Sequence, residues 1–287
     1  METLDRVRDL LQPEDPEEGI LTADFSMAFF HFMQSSLAME TAACMLGGRC
    51  LQYASTPMGR NPTPYLCQTT VWVLAKRWRR LGIRLMSYLD DFMFLVKKKY
   101  ASLLATFIRG ELRRHGWLLH DNKCYWDWSR TALALGTMVD LNRGLFLTPE
   151  KKWKDIVKLC KEAQRRALKR IPGPVRGLAQ VVGKIMATKL SMGNIVRRMT
   201  RRSYAFIAKL TGVPPDTSRR ELKVAWDIVE VYPLSVAKEM AFFIRNYPLN
   251  RGQKIRKLEP RAVLEYGSDA GKAGWGATVD AGLGYKE

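Results

Sequence analysis

Two adjacent aspartates, Asp90 and Asp91, stand between two short apolar runs at residues 83–87 and 92–96. Two strands joined through this pair would form a hairpin with both carboxylates at its tip. Adjacent carboxylates repel each other, and hairpin turns normally use Asn-Gly or Asp-Gly instead. The pair therefore indicates a divalent-cation site, with a solvated acidic turn as the alternative interpretation.

A third aspartate, Asp24, ends an earlier apolar run at residues 19–24, after which the chain turns. One carboxylate at a strand end and two at a neighbouring hairpin tip can bind two Mg²⁺ ions. Such ions clamp the attacking and leaving oxygens of an in-line phosphoryl transfer. Asp24 and Asp90 are too far apart in sequence for a local motif, so only a shared sheet can bring them together.

The segments around these aspartates resemble the sequence motifs of reverse transcriptases. The matching segments are ADFSMAFF at 23–30 (motif A), TPMGRNPTPYLCQ at 56–68 (motif B), YLDD at 88–91 (motif C), LLHDNK at 118–123 (motif D), LGTMVD at 135–140 (the primer-grip hairpin, motif E) and GSDAGKAGWGA at 267–277 (the opening hairpin of a retroelement RNase H). Motifs A to C also match in order and spacing. The greatest overall similarity is to retrotransposon enzymes of the DIRS and related long-terminal-repeat lineages, and it covers nearly the whole chain.

The resemblance implies an α+β right-hand polymerase fold, which we expect in four parts. These are a palm with partial fingers (residues 1–147), a helical basic thumb (148–212), a connection segment (213–261) and a truncated, RNase H-like start (262–287). It implies an RNA-directed DNA polymerase, a nucleotidyltransferase that adds dNTPs to the primer of an RNA or DNA primer-template. Its expected cofactor is Mg²⁺ as two ions, with Mn²⁺ as an alternative.

The resemblance also implies roles for single residues. Asp24 and Asp90 would be the main metal ligands, with Asp91 more peripheral. Lys123 has the position of the motif D lysine, a candidate general acid for the pyrophosphate leaving group; a solvated surface lysine is the alternative. Phe29 has the position of the aromatic ring that excludes a ribose 2′-hydroxyl, and plain core packing is the alternative there.

Three further residues are expected near the substrate. Met58 and Gly59 open motif B, where glycine lets the backbone approach a ligand closely. Tyr88 is expected beside the primer end, with a strand-core tyrosine as the alternative. At Pro62 the chain departs from the family, which usually has a small residue there. Proline fixes φ and removes a hydrogen-bond donor, so it could stiffen or damage the nucleotide pocket.

Positive charge is concentrated in one part of the chain. The net charge is +19, and residues 151–210 contain 17 Lys and Arg but only two acidic residues. A localised basic face is typical of nucleic-acid binding, although a solvated charged helix face is the usual alternative. The basic residues that we expect to contact phosphates are Lys151, Lys152, Lys154, Lys158, Arg165 and Arg166.

The elements that position these residues follow from apolar periodicity and turn signals. Thr148 and Pro149 are expected as the N-cap and first residue of a helix. A hairpin is expected at residues 42–54, a polar linker at 250–260 and a strand from 263. Helices are predicted at residues 4–11, 60–80, 101–115, from 149 to the break at 172–174, 175–190, 193–211 and 217–247.

Compartment signals are few. There is no run of about 18 apolar residues that would predict a transmembrane helix, and the N-terminus does not resemble a signal peptide. The five cysteines form no metal-spaced pair and are expected to be buried small apolar residues in a reducing compartment, the cytoplasm or nucleus. They are Cys44, Cys50, Cys67, Cys124 and Cys160.

The resemblance also predicts what this chain lacks. Motif A begins about 20 residues in, whereas family members carry a longer fingers segment with basic residues that grip the triphosphate. Asp269 matches the first catalytic aspartate of RNase H, which needs further carboxylates downstream. We therefore expect a truncated or decayed copy with neither RNase H nor efficient polymerase activity. A remnant that only binds nucleic acid is the second hypothesis; Phe29 and Leu89 argue against the third, an RNA-dependent RNA polymerase.

Overall fold

The computed structural model describes residues 8, 10–60, 62–212 and 226–255, together with the backbone of two strands near the C-terminus. The chain divides into one unit of residues 1–255 and a second of residues 256–287. Antiparallel sheets and helices are segregated within the first unit. The fold is therefore α+β, as the sequence predicts.

The first sheet contains the strands that carry the three aspartates. Its four antiparallel strands lie in the order β4 (Arg84–Tyr88), β5 (Asp91–Lys97), β1 (Glu18–Asp24) and β6 (Tyr125–Ser129). Alternate residues of a strand point to opposite faces, and β5 is buried on both. Phe92 and Phe94 pack in one core cluster, whereas Met93 and Leu95 pack in another.

Two long helices cover the first of these faces. They are α2 (Pro62–Arg80) and α3 (Ala101–Arg114), which we number after the short helix α1 (Ser36–Glu40). Trp78 of α2 is completely buried, and its ring lies 5.6 Å from Phe92 and 5.8 Å from Phe94, centroid to centroid. Burial of these large rings fixes α2 against the strand that follows the acidic turn.

The second sheet covers the other face. Its antiparallel order is β12 (Gln253–Lys254), β9 (Leu145–Leu147), β8 (Thr137–Asp140) and β7 (Thr131–Ala134). Strand β12 corrects the expectation of a polar linker for residues 250–255, while the rest of the expected linker, residues 256–260, lies outside the described part. Its pairing with β9 buries the neighbouring Ile255 completely, and this apolar anchor is what holds the otherwise polar segment.

A helical region follows the second sheet. Its elements are α4 (Glu150–Leu168), β10 (Pro172–Pro174), α5 (Val175–Met186), α6 (Lys189–Met192), α7 (Ile195–Arg198), α8 (Arg201–Thr211), β11 (Val229–Val231) and α9 (Leu234–Asn246). One apolar cluster joins α4, α5 and α9.

Two expected helices of this region are wrong in part. Residues 193–211 are divided at 199–200, and residues 226–233 include a strand that pairs with β10. Residues 213–225 lie outside the described part.

The predicted helix start at Thr148 is also wrong in detail. The helix begins at Glu150, and Pro149 takes the N-cap position without a side-chain cap. The Thr148 hydroxyl instead shares a 2.6 Å hydrogen bond with the hydroxyl of Ser191. A tertiary partner has therefore replaced the local capping contact that the sequence indicates.

The predicted hairpin around Gly47-Gly48 is present. It comprises β2 (Ala43–Leu46) and β3 (Arg49–Gln52). All eight of its strand residues are exposed, which includes Cys44 and Cys50. The expectation of five buried cysteines is therefore wrong for these two; Cys67 and Cys160 are buried and Cys124 is half-buried.

The second unit contains a hairpin of β13 (Glu265–Gly271) and β14 (Gly274–Asp280). Asp269 lies opposite Gly276 in its register; the position of its side chain lies outside what is described. No described helix is both long and apolar enough to cross a membrane. The division of residues 1–255 into palm, thumb and connection stays a prediction.

Candidate active site and nucleic-acid interface

The turn between β4 and β5 has an uncommon backbone conformation. Leu89 is left-handed, with a φ of 52°, which residues with a Cβ adopt rarely. Its N–H donates to Oε1 of Gln68 at 2.9 Å, and Gln68 is buried on α2. A side chain of α2 thus stabilises the turn that presents Asp90 and Asp91. Nothing around Gln68 in the sequence signals this contact, because a lone glutamine on a helix is usually exposed.

Asp24 and Asp91 face each other across the sheet. They are direct partners in the antiparallel pairing of β1 with β5, and such partners lie on the same face with Cβ atoms about 4.5–5.5 Å apart. The N–H of Phe25 donates to the carbonyl of Asp90 at 3.1 Å, which fixes the end of β1 against the turn. The shared sheet thus brings together three aspartates that are distant in sequence.

Burial and repulsion raise the pKa of two of these carboxyls. For Asp90, burial raises the pKa and the charge of Asp24 adds to the rise, while a backbone hydrogen bond opposes it. For Asp91, burial, the charge of Asp90 and a hydrogen bond with Asp24 raise the pKa to about 7. A bound proton or a nearby cation relieves this kind of crowding.

Lys123 reaches the acidic pair from the segment after β5 and α3. Its Nζ lies 3.4 Å from Oδ1 of Asp24, and its side chain is 59% exposed whereas that of Asp24 is 14% exposed. The backbone of the segment is fixed, because His120 N–H donates to the carbonyl of Asp24 at 2.9 Å and Asp24 N–H donates to Sγ of Cys124 at 3.3 Å. The ammonium group can therefore change partners without movement of the loop.

A cavity of about 230 Å³ lies beside the acidic pair. The first sheet contributes Asp24 and Asp91 to one side, together with Lys123 from the turn before β6, and the β7–β8 hairpin contributes its turn to the other side. The residues that matter are Asp24, Asp91, Lys123, Leu133, Leu135 and Gly136. The arrangement is a small pocket lined by two carboxylates, the exposed ammonium group of Lys123 and an apolar rim.

The carboxylate oxygens of this site are ligands of the kind that Mg²⁺ prefers. In the part of the chain that the structure describes, no three or more His, Cys, Asp or Glu side chains form a group that could hold a metal ion. Mg²⁺ does not require one, because proteins usually bind it through one or two carboxylates and leave the other positions to water and phosphates. The opposed Asp24 and Asp91 supply two, and a cation beside Asp91 would offset the burial and the negative charges that raise its pKa.

The residues expected around the nucleotide lie at different depths. Tyr88 is the cross-strand partner of Asp91 and is half-buried. Phe29 is half-buried against the first core cluster. Gly59 has a φ of 92° with open space where a Cβ would be, and Met58 is 68% exposed. Phe29, Met58 and Gly59 are not among the described residues that line the acidic cavity.

Pro62 occupies the first position of α2. The N–H of a first-turn residue has no partner within the helix, and the fixed φ of proline suits that position. The departure from the family pattern at Pro62 therefore costs the helix no hydrogen bond.

The six basic residues expected on α4 differ in how they are paired. Lys154 pairs with Glu150 at 2.5 Å, and Arg165 and Arg166 both pair with Glu162 at 2.8 and 2.7 Å. Lys152 is half-buried and donates to a backbone carbonyl. Within the described residues, only Lys151 and Lys158 of the six are exposed without an ion pair or hydrogen bond.

A second basic cluster lies where α7 meets α8. We call it the arginine corner; its members are Arg197, Arg198, Arg201 and Arg202. All four are exposed, and no ion pair of theirs is found in the described part of the chain. Glu239 of α9 faces the same helix end but is buried and accepts from the N–H groups of Arg202 and Ser203 at 2.7 and 2.9 Å. The arginine corner thus presents four exposed guanidinium groups beside a helix start whose N–H groups donate to Glu239.

Comparisons with known proteins give matches in structure alone. No protein-family model matches the chain, and no curated protein matches it in sequence. Solved structures of a foamy viral protease-reverse transcriptase do match. The complex with an RNA/DNA hybrid has a TM-score of 0.62 at 13% identity over 92% of this chain and 33% of that one. For a form named dRH in complex with double-stranded DNA, the TM-score is 0.59 at 14% identity over 91% of this chain and 43% of that one. For a further complex with double-stranded DNA, the TM-score is 0.57 at 13% identity over 92% of this chain and 52% of that one.

The chain spans about a third to half of the length of these solved chains. At such low identity the similarity concerns the course of the backbone. The mixed helix-and-sheet architecture described above is therefore a reverse-transcriptase fold.

Proposed function

We propose that this chain is the polymerase core of a retrotransposon reverse transcriptase, which adds dNTPs to a primer 3′-hydroxyl on an RNA or DNA template. One observation carries the proposal: Asp24 and Asp91 are opposed, with Asp90 beside them, at strand ends of a reverse-transcriptase fold. The motif similarity of the sequence supports the DIRS-like lineage.

The residues of the site divide the chemistry between them. Asp24, Asp90 and Asp91 would hold Mg²⁺, or Mn²⁺ as an alternative. Two such ions, when bound, supply charge neutralisation at the attacking and leaving oxygens of an in-line phosphoryl transfer. Lys123, released from Asp24, would donate a proton to the departing pyrophosphate.

The neighbouring residues would select and place the substrates. The ring of Phe29 would exclude a ribose 2′-hydroxyl, and Met58 and Gly59 would lie under the incoming nucleotide. Tyr88, opposite Asp91, would face the primer end. The chain contributes positioning and charge stabilisation and forms no covalent intermediate.

The primer-template would lie against the basic side of the helical region. Exposed charges without an intramolecular partner are the ones that can neutralise phosphates and release counterions. Among the described residues of the two basic clusters these are Lys151 and Lys158 of α4 and the arginine corner. The paired Lys154, Arg165 and Arg166 would contribute less, because Glu150 offsets the charge of Lys154 and Glu162 offsets one of the two arginine charges.

The test is a single-nucleotide extension assay with excess protein, a labelled primer on an RNA template, dNTPs and Mg²⁺. Because efficient polymerisation is not expected of this chain, we expect slow extension by the wild-type chain and by Asp121→Asn, an exposed neighbour of Lys123, and none by Asp90→Asn. Tight binding of the primer-template without extension would favour a protein that only binds nucleic acid. Equal extension by Asp90→Asn would remove the acidic turn from the mechanism.

A further inference from the structure

The turn of the β7–β8 hairpin is held by a lysine from another element. Nζ of Lys152, in the first turn of α4, donates to the carbonyl oxygen of Gly136 at 3.0 Å. Partial burial lowers the pKa of Lys152, although the hydrogen bond of its ammonium group lies at the surface. Its neighbour Lys151 is exposed, so the two adjacent lysines have different surroundings.

The turn itself is built for a close contact. Leu135 and Gly136 have φ values of 45° and 69°, the two left-handed residues of a tight hairpin turn. A Cβ on Gly136 would lie 3.3 Å from Nζ of Lys152. The glycine therefore serves both the backbone conformation and the approach of the lysine.

This turn forms one wall of the acidic cavity. Leu135 and Gly136 line the cavity that Asp24 and Asp91 line from the other side, and Leu133 of β7 adds an apolar surface that is 51% exposed. An apolar surface facing two carboxylates suits the sugar and base of a strand end whose hydroxyl must point at the carboxylates. A shift of the turn would shift that strand end by the same amount.

The connection to α4 is direct. Helix α4 begins three residues after β9, which is paired with β8 of the same hairpin. The hydrogen bond of Lys152 thus links the tip of the hairpin to the helix that its own sheet leads into. Two anchors, one covalent and one through Lys152, fix the turn relative to the first helix of the basic region.

We propose that Lys152 is a positioning residue: it holds the Leu135–Gly136 turn over the acidic cavity and so sets where the primer end lies relative to Asp24 and Asp91. It is not a phosphate contact, which is the role that its sequence neighbourhood suggests. The inference rests on the proposed polymerase function for the primer, whereas the hydrogen bond itself can be tested in the protein alone.

The first measurement is hydrogen–deuterium exchange of the full chain without ligands. Lys152→Met should raise deuterium uptake in residues 131–140, because the turn loses its partner and opens locally more often. Lys152→Arg, which keeps donors, and Lys151→Met, the matched control, should leave uptake there unchanged. Unchanged uptake in Lys152→Met would overturn the proposal.

The second measurement is steady-state extension of a primed template with Lys152→Met and Lys152→Arg. Because small misplacements of reacting groups are costly, Lys152→Met should lower kcat about tenfold while KM for dNTP and the affinity for the primer-template stay within about twofold of the wild type. Lys152→Arg should restore kcat. A loss of affinity at unchanged kcat would assign Lys152 to phosphate binding and overturn the positioning role.

The two measurements separate the possible failures. Absence of extension by the wild-type chain would overturn the proposed function and the primer-positioning role together, while the exchange result would still decide whether Lys152 holds the turn. The third case is extension by the wild-type chain together with a Lys152→Met variant whose turn exchanges faster but whose kcat is unchanged. That result would overturn the positioning role alone.

Discussion

The opposed carboxylates of Asp24 and Asp91 dominate the electrostatics at the scale of single residues. Like charges directly opposite in a sheet destabilise it. The pKa of Asp91 rises to about 7 through burial, the charge of Asp90, and the hydrogen bond and charge of Asp24. The site is thus less stable when both carboxylates are charged and no cation is present. A structural role alone gives no reason for such a pair.

The pH dependence of stability follows from Asp91. Its pKa is about 7 in the folded chain against an ordinary value of 3.8, so the folded state binds the extra proton, and stability falls as pH rises from about 4 to 7. Three pKa units correspond to about 4 kcal/mol at most, and solvent screening reduces this to about 1–3 kcal/mol. Asp91→Asn should therefore be more stable than the wild type at pH 8 and similar at pH 4.

Chemical denaturation at both pH values without metal measures this difference, with Asp121→Asn as the control. Addition of millimolar Mg²⁺ should stabilise the wild type at pH 8 and narrow the gap, because ligand binding to the folded state adds to stability. If the difference in unfolding free energy between Asp91→Asn and the wild type were the same at pH 4 and pH 8, the raised pKa of Asp91 would be contradicted.

Phe29 carries a prediction about sugar selection. If its ring excludes a 2′-hydroxyl, Phe29→Val should raise the efficiency of rNTP relative to dNTP incorporation by about tenfold or more, since relief of a clash of 1–3 kcal/mol is worth that ratio. Single-nucleotide incorporation with each sugar measures the ratio. Because Phe29 also packs against the core, a change in stability with an unchanged ratio would show that it serves only packing.

At the scale of elements, the acidic turn depends on a helix that is distant in sequence. Gln68 Oε1 accepts from the N–H of Leu89, so α2 holds the turn in its left-handed conformation. Gln68→Met keeps the volume but removes the acceptor. Loss of a hydrogen bond to a buried donor should cost about 1–3 kcal/mol.

Gln68→Met should therefore lower both stability and extension, while Gln52→Met on the exposed strand β3 should lower neither. Denaturation curves and single-turnover extension measure the two effects. If Gln68→Met had the stability and the extension rate of the wild type, the turn would keep its conformation without the hydrogen bond from α2.

The sequence predicts some elements and residues better than others for physical reasons. The three aspartates are found because acidic residues at the ends of apolar strands are rare, and their contact requires only a shared sheet. Gln68 and the role of Lys152 could not be predicted, since both depend on a partner that is distant in sequence. The pairing on α4 could have been predicted, because Glu150 and Glu162 lie three or four residues from their partners.

The whole molecule carries a net charge of +19, and the distribution of free charge decides where phosphates bind. Replacement of the arginine corner by Gln at Arg197, Arg198, Arg201 and Arg202 should lower the log–log salt slope of duplex binding by about 3–4, since each neutralised phosphate contributes about 0.9. The double replacement Arg165→Gln and Arg166→Gln should change the slope by less than about 1, because Glu162 already offsets one of the two positive charges.

Fluorescence anisotropy at several salt concentrations measures these slopes, and thermal unfolding confirms that the variants fold. Equal slopes for the wild type and the arginine-corner variant would locate the phosphate contacts elsewhere on the molecule. A larger effect of Arg165 and Arg166 would restore α4 as the main contact.

The central claim is that Asp24, Asp90 and Asp91 hold the divalent cation, and metal-directed cleavage tests it most directly. Fe²⁺ in place of Mg²⁺, with ascorbate and peroxide, cuts the backbone next to the bound ion, and mass spectrometry locates the cuts. We predict cuts near residue 24 and at 88–91, suppressed by excess Mg²⁺ and absent in Asp90→Asn. Cuts confined to other parts of the chain, or unchanged in Asp90→Asn, would contradict the metal site and the mechanism built on it.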